Sequence, residues 1–202
     1  MIAKAEREQI IALINREVVP AIGCTEPIAV ALCVAKATET LGCKPEKIQA
    51  LLSANILKNA MGVGIPGTGM IGLPIAIALG ALIGKSEYQL EVLKDSTPEA
   101  VEAGKKLIDS QAINIGLKYG IEEKLYIEII CEAEGKKATA IISGGHTNFV
   151  YVAHGEEVLV NKQAASSNEA TSDDVELTLR KVYDFAMETP IEELKFILET
   201  RN

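Results

Sequence analysis

From Asn59 to Gly84 the chain carries no charged residue, and Ile71 to Ile83 is almost continuously apolar. A stretch of that length could cross a bilayer. Seven glycines and two prolines (Pro66, Pro74) interrupt it, and its first half, NAMGVGIPGTG, has the composition of a loop. The unbroken apolar part is about a dozen residues, which is the length of a buried core helix. The expectation is therefore a globular protein with no membrane role. The rest of the composition agrees, with 48% apolar and 24% charged residues. At 202 residues there is room for one ordinary domain or two small ones, and for a core that needs no staples. A net charge of −8 without a basic run disfavours nucleic acid and anionic lipid as partners. The four cysteines show no CxxC spacing and the start, MIAKAEREQI, is too charged for a signal peptide. Both point to a reducing cytoplasmic compartment with free thiols.

Around that stretch the hydrophobic period changes once. Before Gly120 it reads as helical. Ile10, Ile11, Ile14 and Val18 share a stripe over Glu6–Val19, which Pro20 and Gly23 end. A second helix is predicted from Thr25 to Gly42, opened by Pro27. Ile48, Ala50 and Leu52 alternate in a short strand over Lys47–Ser53, after which the glycine-rich loop and the buried helix follow. Ser86 with Gln89 and Ser96 with Glu99 read as capping boxes of two more helices. From Leu125 the period is two. Strands are predicted over Leu125–Ala133, Ala138–Ser143, Phe149–Ala153 and Val158–Val160, with Glu134-Gly135 as the first turn. Asn161–Asp174 reads as a linker, followed by a helix over Asp173–Met187 and another opened by Thr189-Pro190-Ile191-Glu192. That last helix lines up Ile191, Leu194, Ile197 and Leu198, an apolar stripe expected to meet something absent from the chain. The predicted fold class is α+β, with helices packed on one mainly antiparallel sheet. The predicted division is a domain over 1–162, then a linker and helices over 163–202.

Three short segments could carry chemistry. Gly23-Cys24-Thr25-Glu26-Pro27 places a thiol just before a helix, where free N–H groups and the helix dipole favour a thiolate. The same five residues also describe a small buried cysteine beside a cap. Cys33, Cys43 and Cys131 read as core residues. Asn55, Lys58 and Asn59 come after a strand and before Gly62, Gly64, Gly67 and Gly69, so polar groups adjoin a backbone that a ligand can approach closely. PGTGMIGLP lacks the Gly-Lys-Ser/Thr ending of a phosphate-binding loop, which leaves a small anion as the better-fitting ligand. Gly144-Gly145-His146-Thr147-Asn148 interrupts two strands and displays an imidazole, a hydroxyl and an amide; a solvated histidine on a hairpin fits equally well. Zinc has little support, because neither His nor Cys lies at ligand spacing from His146.

Taken in order, GCTEP, NILKNAMGVGIPGTGMIGLP with ALGALIG and LEVLKD, and SGGHTNFV resemble the L-cysteine desulfidase family, which is related to the iron–sulfur L-serine dehydratases. The resemblance implies a sheet like that of the serine dehydratase β domain. It also implies pyridoxal-independent β-elimination, turning L-cysteine into sulfide, ammonia and pyruvate, or L-serine into ammonia and pyruvate, at a [4Fe–4S] cluster with one open iron. Cys24 would be a cluster ligand. Cys24, Glu26, Lys58 and His146 would be the catalytic positions, with the general base unassigned. Thr25, Asn55, Asn59, Gly67, Thr68, Gly69, Thr147 and Asn148 would hold the substrate. The family's remaining cluster cysteines lie in a second, mostly helical part of similar size, which this chain lacks. One thiolate cannot hold a cubane cluster. The chain is thus expected to be inactive alone, to require a C-terminal half or companion subunit, and to self-associate through its apolar stripe. The alternative expectation is a non-catalytic regulatory domain that binds a small amino acid.

Overall fold

A computed structural model describes residues 2–162 and 175–201. All but the first two residues of the predicted linker, 163–174, lie outside the described residues. In chain order the elements are α1 (Lys4–Glu17), α2 (Thr25–Leu41), β1 (Lys47–Leu52), α3 (Ala54–Ala60), β2 (Gly64–Ile65), β3 (Met70–Ile71) and α4 (Leu73–Leu82). A 3-10 turn (Ser86–Glu91), α5 (Pro98–Asp109), β4 (Ile113–Leu117), β5 (Tyr126–Ala133), β6 (Lys136–Ser143), β7 (Phe149–His154) and β8 (Glu157–Asn161) follow, then α6 (Leu179–Glu188) and a 3-10 segment (Ile191–Arg201). The chain divides into two compact units: Ala21–Ser166, and Met1–Pro20 with Ser167–Asn202.

The larger unit is α+β. Its six-stranded sheet has the order β4-β1-β5-β6-β7-β8, antiparallel throughout except for the parallel pair β1 and β4. From β5 to β8 it is a meander. Its first turn is the two residues Glu134-Gly135, both at positive φ (53° and 72°), the backbone that a tight hairpin of this hand requires. One face of the sheet is apolar because alternate residues point the same way. Ile48, Ala50 and Leu52 of β1, Ile127, Ile129 and Cys131 of β5, and Ala138, Ala140 and Ile142 of β6 are all buried. Helix α2 covers this face, and α4 packs on α2 with α5 against α4. A helix caught between a sheet and another helix has no polar side, which is why nearly all of α2 from Pro27 to Ala37 is apolar and buried.

The uncharged stretch is thereby explained. Its second half is α4, a ten-residue buried helix that approaches its neighbours closely through small residues. Gly104 of α5 faces Ile75, Ala78 and Leu79 of α4 in the same way. No helix among the described residues is long and apolar enough to cross a membrane.

Six expectations about local structure are corrected. Ile113–Leu117, in the stretch before Gly120 where the period reads as helical, is a strand, because Ile113, Ile115 and Leu117 alternate along the parallel pairing with β1. The residues after β1 form α3 before the glycine loop begins, since the Ser53 side chain accepts from Ile56 N and caps it. Ser86–Gln89 opens a 3-10 turn, with Gln89 at φ 51°, and Thr97 rather than Ser96 caps α5. Helix α6 starts at Leu179 with Thr178 as its cap, and the last segment is 3-10 rather than α-helical.

In the smaller unit α1 is tied to the C-terminal segments by ion pairs. Lys181 Nζ lies 2.7 Å from Glu6 Oε1, and Arg7 Nε lies 3.2 Å from Glu193 Oε2. Ile2 N also donates to Glu188 Oε2 at 2.8 Å.

Candidate functional site

Hydrogen bonds to the strands show which elements meet at one end of the sheet. Cys33 Sγ, on α2, donates to Ala140 O of β6 at 3.3 Å, and five residues later Thr38 Oγ1 lies 3.9 Å from Cys131 Sγ of β5. Helix α2 therefore runs in the direction of β5. Its first residue lies eight positions before Cys33, about 12 Å back along the axis, and so at the end of the sheet where β5 begins. Strand β1 finishes there too: Ser53 N donates to Tyr126 O at 3.0 Å, and Ser53 Oγ donates to Lys124 O at 2.7 Å. So does β6, whose exit residue Gly144 donates its N–H to Leu125 O at 3.1 Å.

Three of the predicted segments thus gather at this end. Cys24 is exposed at the N-cap of α2, and Thr25 Oγ1 donates to Glu26 Oε2 at 3.4 Å beside it. Asn55, Lys58 and Asn59 are exposed and lie three and four residues apart, so they occupy one face of α3. His146, Thr147 and Asn148 form the turn between β6 and β7, where Asn148 Nδ2 donates to Ser143 O at 2.9 Å and so serves the turn itself. No hydrogen bond joins Cys24, Lys58 and His146 to one another among the described residues.

The glycine hairpin β2–β3 links the first two segments. A Cβ on Gly23 would stand 2.9 Å from Pro66 Cγ, so the chain entering Cys24 lies directly on the hairpin. At the hairpin's other side Gly72 N donates to Val63 O, and a Cβ on Gly72 would stand 2.6 Å from the carbonyl oxygen of Met61, the C-cap of α3. Gly67 and Gly69 have open space above them. The Thr68 hydroxyl between them donates to Ile65 O at 2.7 Å and accepts from Met70 N at 3.0 Å, so it closes the loop.

The other cysteines belong to the interior. Cys33 and Cys131 have no exposed surface. Burial pushes the Cys33 thiol well up and the Cys131 thiol up to about 11, so both stay protonated and neutral at ordinary pH. Cys43 follows the far end of α2, which is about 25 Å long. This donor set does not fit a cluster held by the chain alone: the sheet end offers one thiol. Among the described residues no group of three or more His, Cys, Asp or Glu could hold a metal ion.

Two features escape a reading of the sequence. At the same end of the sheet Lys118 Nζ lies 2.6 Å from Glu128 Oε2, which also accepts from Tyr126 Oη at 2.9 Å. Burial and the Glu128 carboxylate push the Tyr126 phenol to a higher pKa. The signal was present in Tyr126 and Glu128, which alternate with the core residues of β5, but Lys118 joins them only through β4. At the opposite end, Lys47, Gln49, Gln111, Asn114, Ile130 and Glu132 surround a cavity of about 350 Å³.

With this geometry in view, comparison with known proteins gives a consistent result. The chain is 80% identical over 201 residues to a UPF0597 protein of Phocaeicola vulgatus, a match that takes in 100% of this chain and 47% of the relative. The chain is similar to UPF0597 proteins. A Bacteroides fragilis protein of that name is 77% identical over 197 residues (98% of this chain, 46% of the relative), and one from Aeromonas hydrophila is 41% identical over 199 residues (97% and 45%). The chain spans about half the length of the curated relatives it matches. No family model matches it, and no solved structure does. These findings correct the resemblance drawn from GCTEP, the glycine-rich segment and SGGHTNFV: the relatives are named UPF0597 proteins, not L-cysteine desulfidases or L-serine dehydratases. The likeness of the sheet to a serine dehydratase domain was implied by that resemblance alone.

Proposed function

We propose that this chain is the substrate-binding part of a cytoplasmic lyase that eliminates the β-substituent of a small amino acid, L-cysteine or L-serine. The observation that supports the reading is the exposed Cys24 at the start of α2, with Gly23 resting on Pro66 of the glycine hairpin and, at the hairpin's other side, Gly72 against Met61, the C-cap of the α3 that carries exposed Asn55, Lys58 and Asn59. The lysine and two amides suit an amino-acid carboxylate. The open backbone at Gly67 and Gly69 lets a small molecule approach, and an exposed thiol beside a helix start suits a metal ligand or a nucleophile. In the reaction the α-proton goes to a base, the β-carbon loses hydrosulfide or hydroxide, and the aminoacrylate left behind tautomerises and hydrolyses to pyruvate and ammonia. Cys24 would be this chain's single contribution to a [4Fe–4S] cluster, its other ligands lying outside the described residues.

The test is pyruvate release from L-cysteine and L-serine by a protein of the relatives' full length, reconstituted anaerobically with iron and sulfide. The reading requires turnover with one of the two amino acids and its loss in Cys24→Ser, with Cys131→Ser still active. Full turnover in Cys24→Ser overturns it.

A second reading is a binding module for a small amino acid with no chemistry of its own. The donor set favours it, because only one thiol reaches the sheet end. Calorimetry separates the two: tight binding of L-cysteine or L-serine by a full-length protein that releases no pyruvate selects the module.

A further inference from the structure

Helix α6 turns an apolar stripe outward. Leu179, Val182, Tyr183 and Met187 recur at spacings of three and four residues and so share one face. They are 88%, 48%, 58% and 68% exposed. Ile191 and Leu198 of the following segment add exposures of 71% and 62%. The opposite side of α6 carries the groups that hold it: Phe185 is buried, Lys181 pairs with Glu6, and Glu188 accepts from Ile2 N. Helix α6 therefore has two working sides, one already packed and one bare.

The described residues of the smaller unit bury few apolar side chains. Among its described residues the buried apolar side chains are Ile10 and Phe185, whereas the six named above stand in solvent. An exposed patch of this kind marks an interaction surface. The relatives indicate what covers it. They match this chain along nearly its whole length, yet the matched part is only 45–47% of theirs, so more than half of such a protein lies elsewhere. A second copy is a poorer occupant. A stable association between separate chains has to bury roughly 1,000 Å² or more. A segment of the same polypeptide is held nearby at an effective concentration on the order of millimolar and needs no such area.

We infer that the outward face of α6 is the seat of the unmatched half of the longer protein, which lays an apolar helix face along Leu179, Val182, Tyr183 and Met187. This does not depend on the amino-acid reading of the sheet end. In a protein of the relatives' full length, Met187→Cys should be alkylated at least tenfold more slowly in the native state than after unfolding in urea, as read on the peptide that carries it; Tyr183→Cys serves where Met187→Cys does not fold. The protection should be independent of protein concentration. In the same protein Leu179→Asp with Met187→Asp should lower the melting temperature by several degrees. Native alkylation as fast as unfolded, or an unchanged melting temperature, overturns the proposal. So does protection that vanishes on dilution, which would assign the face to a second copy.

Discussion

Gly80 of α4 meets Ala31 of α2 backbone to backbone: a Cβ at Gly80 would stand 2.6 Å from the Ala31 carbonyl oxygen. The two helices can be this close because Gly80 has no side chain to stand between it and the Ala31 backbone. Gly80→Ala forces them apart, at a cost of about 2–3 kcal/mol, against a gain of about 1 kcal/mol in helix propensity. The expected net loss, about 1–2 kcal/mol, is read from the urea midpoint at unchanged slope. A midpoint that stays or rises would show that the crossing has slack.

Ser53 is the joint between β1 and the candidate site. Its hydroxyl donates to Lys124 O and accepts from Ile56 N at the start of α3. Ser53→Ala removes the cap of α3 and the donor to Lys124 O, costing about 1–2 kcal/mol. If α3 with Asn55, Lys58 and Asn59 holds an amino acid as proposed, the same variant should weaken that binding more than an exposed Glu87→Ala control does, by calorimetry. Equal binding by both would detach α3 from the site.

Lys58 is exposed and pairs with no carboxylate among the described residues. If it receives the ligand's carboxylate, Lys58→Gln should raise the dissociation constant about tenfold, the value of one charge-assisted contact. The melting temperature should hold, since the side chain supports nothing. Unchanged affinity would place the carboxylate elsewhere.

The Cys131 thiol predicts how stability depends on alkaline pH. Burial pushes its pKa in the native state from the ordinary thiol value near 9 up to about 11. Below pH 9 both states keep the proton and the contribution is constant. Between pH 9 and 11 the unfolded chain ionises while the native one does not, so stability falls with rising pH, by about 2–3 kcal/mol over the window. Cys33 acts in the same direction. In denaturation curves from pH 8 to 11, Cys131→Ala should flatten the fall even though it lowers the starting value. A slope equal to wild type would show that the thiol does not titrate on unfolding.

What could be read from the residues depended on distance along the chain. The meander was legible because each strand's partner is adjacent and its turn, Glu134-Gly135, is local. The buried α4 and the capped α2 were legible from composition and from Gly42 and Pro27. Strand β4 was not, because Ile113 meets Ile48 only across the whole of α3, α4 and α5. Helix α3 was hidden by the glycines that follow it, although Ser53 was in place to cap it. Of the candidate site, the residue types were visible and their gathering was not. Cys24, Lys58 and His146 reach one sheet end through the direction of α2 and the order β1-β5-β6, which no local pattern encodes. The hydroxyl of Thr68 and the amide of Asn148, both expected to hold substrate, close their own turns.

Strand β1 is the second strand from one border of the sheet, yet its partners come 65 and 83 residues later, at Ile113 and Cys131. The β5–β8 ribbon can zip up within microseconds of its own accord, whereas the insertion of β1 must wait for long loops to close. Until then the ribbon carries a bare strand border rich in isoleucine, the kind of surface on which chains stick to one another. Recovery from denaturant should therefore be governed by that late insertion, with yields that drop as the refolding mixture is made more concentrated.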